Sequence, residues 1–189
     1  MGGNHLLGAG VFLVQTLFFL VIVVLMLRFL LQLVRADPFN PLSQMVLKLT
    51  NPLLMPLRNY IPRWGKIDLG AGLAMLLLKY VELKILTAIG FKLTANLFIW
   101  AAADLIALAL NILMISIFVQ VLLSWIAPYA HNPVLTVMYR LNEPLLGRVR
   151  RTIPPIAGLD LSPLLVLIGL QLLSSFLLVP YLKELAKLL

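Results

Sequence analysis

Four long apolar stretches alternate with two polar, proline-rich segments along the chain. The apolar stretches cover residues 9–34, 69–90, 97–126 and 161–181. Each is long enough to supply the roughly 20 helical residues that cross a bilayer core, so the pattern predicts four transmembrane helices. The second stretch is the least apolar because it contains Lys79, Glu82 and Lys84, and charges inside a span are costly.

The two segments between these stretches, residues 35–68 and 127–160, are too long to be structureless loops. Each contains two places where an Asn or Glu precedes a proline, a pattern typical of a helix start. These places are Asn40-Pro41 and Asn51-Pro52 in the first segment, and Asn132-Pro133 and Glu143-Pro144 in the second. The pattern therefore predicts two short helices per segment, lying in the membrane interface.

The two halves of the chain are a tandem repeat. A shift of 92 residues without gaps aligns residues 40–69 with 132–161, and eleven of the thirty positions are identical. The identities include Asn, Pro, Arg and Asp, so apolar bias does not explain them. The predicted unit is span, interfacial helices, span, with repeat one at about 9–91 and repeat two at about 97–183.

This duplication predicts the fold class: an all-α integral membrane protein whose residues 1–189 form one membrane domain. Because each unit has two spans, both units begin on the same side of the membrane. The repeats are therefore parallel and related by an axis along the membrane normal, which differs from an inverted-repeat transporter.

Composition excludes an ordinary soluble domain. Hydrophobic residues make up 62% of the chain and charged residues 12%, with a mean hydropathy of +1.04. Soluble domains have about 45–50% apolar and about 25% charged residues. The absence of Cys excludes disulfides and thiolate metal sites. The net charge is +8, and because the basic residues lie beside apolar spans, we expect them to contact anionic lipid headgroups rather than nucleic acid.

The basic residues are distributed unevenly between the two sides of the membrane. Nine Lys and Arg fall in segments 35–68 and 128–160, against three in the predicted outer parts. The positive-inside rule places both long segments in the cytoplasm and both termini outside. The first apolar stretch is interpreted as a retained span rather than a signal peptide, because it is too long for a signal h-region.

Two related segments carry a family resemblance. Residues 141–163 read LNEPLLGRVRRTIPPIAGLDLSP, and residues 49–70 read LTNPLLMPLRNYIPRWGKIDLG. The first of these resembles the hallmark segment of the YggT family, small membrane proteins of bacteria and plastids, and the second is a degraded copy. The resemblance implies a bacterial inner-membrane protein, and the family is loosely connected with osmotic tolerance, ion homeostasis and division. The second copy is favoured as the functional one, because Asn51 replaces Glu143 and Gly70 replaces Ser162 in the first.

The repeated motif predicts a structural site in each copy. Its residues are Pro52, Arg58, Pro62 and Asp68 in copy one, and Pro144, Arg150, Pro154 and Asp160 in copy two. We expect each Arg to hold its Asp across the Ile-Pro bend, with the second pair the more consequential. The alternative is that the Arg binds lipid phosphate while the Asp caps the next helix.

A second set of polar residues lies inside the predicted spans. Arg28, Lys79 and Glu82 of copy one align with Gln120, Gln171 and Ser174 of copy two. The concerted loss of charge predicts that the three charged residues contact one another, and that Gln120 contacts Gln171. The set is interpreted as a structural clamp; an ion or proton path and snorkelling to headgroups are the alternatives.

The sequence contains no recognisable catalytic, cofactor or metal motif, and its two histidines, His5 and His131, lie in separate contexts. We therefore expect a non-enzymatic scaffold or envelope-homeostasis factor that presents its basic segments to the cytoplasmic face. Expected partners are the lipid bilayer, anionic headgroups, and a membrane protein or further copies of the chain. The alternative is an ion channel, or a channel subunit, with the polar set lining a path between the repeats.

Overall fold

The computed structural model describes residues 2–58, 61, 67–90, 96–126, 132–153 and 160–188, with side chains from residue 7 onward except that of Arg58. These residues form seven α-helices and one π-helical turn. The elements are α1 (Gly2–Leu33), α2 (Pro41–Arg58), α3 (Leu69–Ala88), α4 (Leu97–Ile126), α5 (Pro133–Thr152), α6 (Ser162–Leu172), the π-turn (Leu173–Leu177) and α7 (Leu178–Leu188). The all-α prediction is confirmed for this part of the chain.

Three helical stretches among the described residues are long and apolar enough to cross a membrane. They are Leu7–Leu33, Leu97–Ile126 and the continuous Ser162–Leu188. The remaining candidate, α3, has 20 residues, but it contains Lys79, Glu82 and Lys84 and does not qualify by composition. By length and composition, the described part of the chain therefore has the character of a membrane protein with three candidate spans.

The described parts of the two proline-rich segments each contain one long helix, so the prediction of two short helices starting at the two Asn/Glu-Pro sites of each segment is wrong. Asn40 and Asn132 do precede helix starts, but Asn51-Pro52 and Glu143-Pro144 lie inside α2 and α5. A proline within a helix removes one backbone donor and leaves the carbonyl four residues earlier without its bond. Pro52, Pro56 and Pro144 are all exposed, so the affected carbonyls lie on the outer face and the helices continue.

The last helical stretch contains a π-turn for a local reason. Pro180 has no N–H to donate to the carbonyl of Phe176, and its ring crowds that carbonyl. Just before it, the backbone N–H of Leu178 bonds to Leu173 five residues earlier instead of four. This turn of the helix therefore contains one extra residue, and α7 continues past the proline to Leu188.

The long helices pack in an open row. Helix α3 lies against both α1 and α4, whereas α6, the π-turn and α7 lie against α4. The main core joins Leu25 and Met26 of α1, Ala71 and Met75 of α3, and Leu141 of α5. Within the described residues, α6 and α7 make no contact with α1 or α3. Helix α3 thus lies inside the row between α1 and α4, which also touch each other directly, and α6 and α7 are at the edge beyond α4.

Candidate functional site

Helices α2 and α5, together named the α2–α5 platform, begin in the same way and lie side by side. The side-chain oxygen of Asn40 accepts the N–H of Leu42, and that of Asn132 accepts the N–H of Val134, each at 2.9 Å. The Asn40 side chain also donates to the carbonyl of Pro133 at 2.9 Å. Asn40 therefore caps its own helix in repeat one and bonds to the start of α5 in repeat two.

In repeat one, a buried arginine joins the platform to the first span. Arg28 of α1 is 2% exposed, and its Nη1 donates to Thr50 Oγ1 at 2.5 Å and to Asn51 Oδ1 at 2.9 Å. The Thr50 hydroxyl in turn donates to the carbonyl of Val46. The charged side chain is thereby held between α1 and α2 rather than exposed to lipid.

Repeat two has a neutral bridge at the equivalent place. Asn142 of α5 is fully buried, and its Nδ2 donates to Gln120 Oε1 at 2.7 Å and to Ser116 Oγ at 3.0 Å. A shift of 92 residues relates Arg28 to Gln120 and Thr50 to Asn142. Both repeats therefore join the platform to the preceding span through the same two positions, with different chemistry.

The sequence pattern did not predict the roles of Thr50 and Asn142. It singled out identical positions and charged side chains inside the spans, and this pair is neither. The available signal was their polarity in both copies, on the buried side of an amphipathic helix and one residue before the (Asn/Glu)-Pro motif.

The predicted pair of Arg150 and Asp160 is present. Arg150 Nε donates to Asp160 Oδ2 at 2.7 Å, and Asp160 Oδ1 accepts the backbone N–H of Ser162 at 2.9 Å. Glu143 Oε2 lies 3.8 Å from Arg150 Nη1 on the other side. Pairing and capping were posed as alternatives for this carboxylate, but one oxygen pairs with Arg150 while the other accepts the first backbone N–H of α6.

These contacts set the protonation of Asp160. Burial raises the pKa of its carboxyl, but hydrogen bonding from Ser162 and the adjacent Arg150 outweigh burial and hold the pKa below its ordinary value. The carboxylate is therefore charged at neutral pH and pairs α5 with the start of α6.

The first copy of this motif is only partly described. Asp68 is 2% exposed and caps α3, accepting the backbone N–H of Ala71 at 3.1 Å. The side chain of Arg58, and residues Pro62 and Pro154, lie outside the described part of the chain. The pairing of Arg58 with Asp68 therefore stays a prediction, while the capping role of Asp68 is confirmed.

The predicted grouping of Arg28 with Lys79 and Glu82 is wrong. Lys79 Nζ contacts both carboxylate oxygens of Glu82 at 3.0 Å and lies 3.6 Å from Asp104 Oδ2. Lys79 and Glu82 share a cavity with residues 19 and 22 of α1. Arg28 lies six to nine positions further along α1, about 9–14 Å at the helical rise of about 1.5 Å per residue.

Asp104 extends the charged contacts of α3 to the end of the chain. Its Oδ1 lies 2.8 Å from Lys183 Nζ, and the Lys183 ammonium lies 5.0 Å from the centre of the Trp100 ring. The backbone N–H of Asn96 also donates to the carbonyl of Ala186. The cluster named here the α3–α4–α7 charge network, Lys79, Glu82, Asp104 and Lys183, therefore balances two cations with two anions.

The predicted contact between Gln120 and Gln171 is also wrong. Gln120 is buried against Asn142, whereas Gln171 is exposed and donates to Ser175 Oγ at 3.0 Å on its own helix. Gln171 lies level with Met114 of α4, six residues from Gln120. Ser174 is half-buried in the π-turn.

The outer side of the α2–α5 platform is basic. Arg140, Arg148 and Arg151 are exposed on α5 and line an open cavity of about 330 Å³ together with Glu143 and Val34. Lys48 is exposed on α2 at the position equivalent to Arg140. Among the residues described, no group of His, Cys, Asp and Glu could hold a metal ion. The chemistry that this face offers is attraction of anions.

Comparison with known proteins identifies the family. The CCB3/YggT family profile matches residues 7–89 and again 99–181, and the second match is the first displaced by 92 residues. The chain is 38% identical over 170 residues to a protein of Pseudomonas aeruginosa, covering 88% of this chain and 86% of the relative. It is 40% identical over 164 residues to a protein of Vibrio alginolyticus, covering 85% and 88%.

YggT of Escherichia coli is 34% identical over 166 residues, covering 86% of each chain. No solved structure matches. The repeated profile and these near full-length relatives agree with the duplicated motif, and the chain belongs to the CCB3/YggT family.

Proposed function

We propose that the chain spans the bacterial inner membrane four times, in two parallel repeats, with the α2–α5 platform in the cytoplasm and both termini outside. The fourth span is α3, whose charges Lys79 and Glu82 pair with each other and with Asp104 of α4. Such pairing is what allows charged residues inside a bilayer. The double family match and the excess of basic residues in both long segments support the arrangement.

Topology is tested with paired reporters at Leu189. Alkaline phosphatase, which is active outside the cytoplasm, is expected to be active there, and a cytoplasm-dependent fluorescent protein is expected to be dark. The same reporters inserted after Arg148 should give the opposite result. A fluorescent fusion at Leu189 with an inactive phosphatase contradicts the orientation.

The proposed activity is that of a non-enzymatic scaffold in envelope homeostasis, such as osmotic stress or division. The observation that carries it is how firmly the platform is attached. Polar bridges fix α2 to α1 and α5 to α4, and Arg150 joins α5 to the start of α6. A rigid amphipathic platform at the interface presents a fixed basic face to anionic headgroups and to a membrane protein partner.

The platform is tested by lipid preference. Protein in detergent is titrated with short-chain fluorescent phosphatidylglycerol and, separately, with phosphatidylcholine. We expect the anionic lipid to bind more tightly, and the triple variant Arg140→Gln, Arg148→Gln, Arg151→Gln to lose that preference. The matched control is Lys187→Gln, which removes an exposed cation at the other end of the bundle and should keep the preference. Equal binding of both lipids by the natural chain contradicts the proposal.

Ion conduction is the competing proposal, and the arrangement of the polar set gives it little support. Arg28 and Gln120 face the platform, Lys79 and Glu82 face α4, and Gln171 faces outward. Within the described residues these side chains do not join in one continuous path. Cation flux into liposomes that is lost in Arg28→Ala and Glu82→Ala variants would favour conduction over the scaffold.

A further inference from the structure

The largest contact between the two repeats is formed by one face of α3 against α4. Lys79 contacts Asp104 across it, and the ring of Tyr80 stacks on that of Phe98 with centroids 4.2 Å apart. The α3 face at positions 76, 79, 80 and 83 is half-buried or buried throughout. Helix α4 of repeat two therefore covers this face of repeat one.

The equivalent face of repeat two has no such cover. A shift of 92 converts positions 76, 79, 80 and 83 to Ile168, Gln171, Leu172 and Ser175, and all four are exposed. In the described chain, α6 packs on α4, α5 and the π-turn, and no element takes the place that α4 takes beside α3. Two exposed polar side chains, Gln171 and Ser175, thus lie in the middle of an apolar span, where interhelical contacts normally satisfy such groups.

The repeat also indicates which helix would cover this face. The element equivalent to α4 in repeat one is α1. In the N-terminal half of α1, residues 12, 15 and 19 are exposed and residue 16 is half-buried. Around Lys79, α4 contributes Asp104, Ala107, Leu108 and Asn111 to the cavity. The equivalent positions on α1 are Phe12, Gln15, Thr16 and Phe19.

Gln15 is the second observation that points to the partner. Between residues 7 and 27, only Gln15 and Thr16 have amide or hydroxyl side chains, and Gln15 is exposed. Ala107 lines the same cavity as Lys79, so the repeat equivalence brings Gln15 into the cavity that Gln171 would line. A glutamine amide both donates and accepts, so the two side chains are complementary.

We propose that a second copy of this chain docks its α1 on the Gln171 face of α6, repeating the α3–α4 interface between molecules. Gln15 of one copy then bonds to Gln171 of the next. Phe12, which is 66% exposed, enters the groove of about 370 Å³ that Met114, Leu167 and Ile168 line beside Gln171. The contact is head-to-tail, so it generates a ring or a row of repeats in the membrane plane.

The absence of cysteine makes the test direct. Gln15→Cys with one tag and Gln171→Cys with another are co-expressed at low level, and isolated membranes are oxidised with copper phenanthroline. We expect a disulfide-linked dimer that carries both tags. The depth-matched control pairs Gln15→Cys with Ile115→Cys, which is 63% exposed on α4 and, one residue after Met114, lies about 100° around the helix from the groove. A yield for the Gln15–Gln171 pair no higher than this control overturns the proposal.

Each single variant expressed alone decides the symmetry. A head-to-tail contact brings Gln15 to Gln171 and neither residue to itself, so each variant alone should remain at the control yield. Self-linked dimers of Gln171→Cys as abundant as the mixed dimers overturn the head-to-tail contact in favour of a two-fold pair.

A second measurement does not depend on cysteine. Energy transfer between differently labelled copies is measured in lipid nanodiscs of defined size. We expect Gln171→Leu and Gln15→Leu each to weaken association about threefold to twentyfold, the range for interhelical hydrogen bonds in membranes. Val81→Ala, at an exposed position on α3, which takes no part in the proposed contact, should leave association unchanged. Unchanged association in both glutamine variants contradicts the proposed contact, and thermal unfolding of each variant establishes that it is folded.

Discussion

The ion pair between Arg150 and Asp160 permits a quantitative test of how α5 is held to the start of α6. The test is a double-mutant cycle of Arg150→Gln, Asp160→Asn and both changes together. The asparagine amide in Asp160→Asn can still accept the backbone N–H of Ser162, because a capping amide oxygen replaces a carboxylate oxygen well. The cycle therefore isolates the contact between the two side chains from the helix cap.

The expected coupling follows from the geometry and exposure of the pair. The Nε–Oδ2 distance of 2.7 Å is that of a charge-assisted hydrogen bond, and the side chains are 36% and 30% exposed. Hydrogen bonds to charged groups contribute about 1.5–3 kcal/mol when well shielded. Because a third of each side chain contacts solvent, we discount this and expect a coupling of about 1–1.5 kcal/mol at pH 7.

Unfolding in mixed micelles of increasing dodecyl sulfate content measures the free energy of each variant. A coupling below about 0.3 kcal/mol would place the pair with exposed ion pairs that contribute nothing measurable, and would refute the reasoning. The reversed pair, Arg150→Asp with Asp160→Arg, should recover abundance relative to either single change. Its recovery should be incomplete, because the guanidinium introduced by Asp160→Arg cannot accept the N–H of Ser162.

The pH dependence gives an independent check with a definite sign. The pKa of Asp160 is lower in the folded chain than the value of about 3.9 for an unfolded Asp, so the folded state favours the carboxylate. Its contribution is therefore present above about pH 5 and is lost as the pH falls through the folded pKa. The stability difference between the natural chain and Asp160→Asn should narrow below about pH 4. A difference that is constant from pH 7 to pH 3 contradicts the assignment.

Three further outcomes are expected in the same unfolding assay. Asn142→Ala should lower the free energy of unfolding by about 1–3 kcal/mol, because it leaves the buried Gln120 carbonyl unpaired. The double variant Gln120→Leu with Asn142→Leu should lose less stability, and equal losses would contradict the bridge. Asp104→Asn should lower the free energy of unfolding by about 2–4 kcal/mol, because it removes the anion between two lysines. Lys187→Gln, which breaks an exposed ion pair, should lower it by less than about 0.5 kcal/mol. Gly147→Ala should stabilise by about 0.5–1 kcal/mol through helix propensity, because the added Cβ meets only the flexible end of an exposed Glu side chain; a loss of stability shows that this side chain cannot move.

Features that depend on local chemistry could be predicted from the sequence. Asn40 and Asn132 cap their helices because a short side-chain acceptor before a proline determines the start of a helix locally. Arg150 and Asp160 are ten residues apart across a proline bend, so their pairing also requires little knowledge of the rest of the fold.

Features that depend on which helix lies beside which could not be predicted in this way. The internal Pro52 and Pro144 were interpreted as helix starts, but their helices continue because packing of the buried face outweighs one lost bond on the exposed face. Asn142 was missed for a related reason. Its importance derives from being fully buried opposite Gln120, and burial is a property of the tertiary arrangement.

The row of helices also explains why the charges of repeat one are absent from repeat two. The shared change from Lys79 and Glu82 to Gln171 and Ser174 suggested a group of residues in mutual contact with Arg28, and that inference confused correlation in sequence with contact in space. The two sites differ in their neighbours. Helix α3 is central and meets Asp104 of α4, which can balance a lysine, whereas the Gln171 face of α6 is at the edge.

A lysine at position 171 would have no equivalent of Asp104 on its own chain, and a lipid-exposed charge is far more costly than an amide. Asp104 itself corresponds to Phe12 in repeat one, so the anion is present only where an inter-repeat interface needs it. At the edge of the row an amide is less costly than an ammonium group. Unlike a methyl group, it can still form a hydrogen bond to a neighbour. The neutral residues of repeat two are therefore those expected at a surface that meets another apolar helix with one matching polar group.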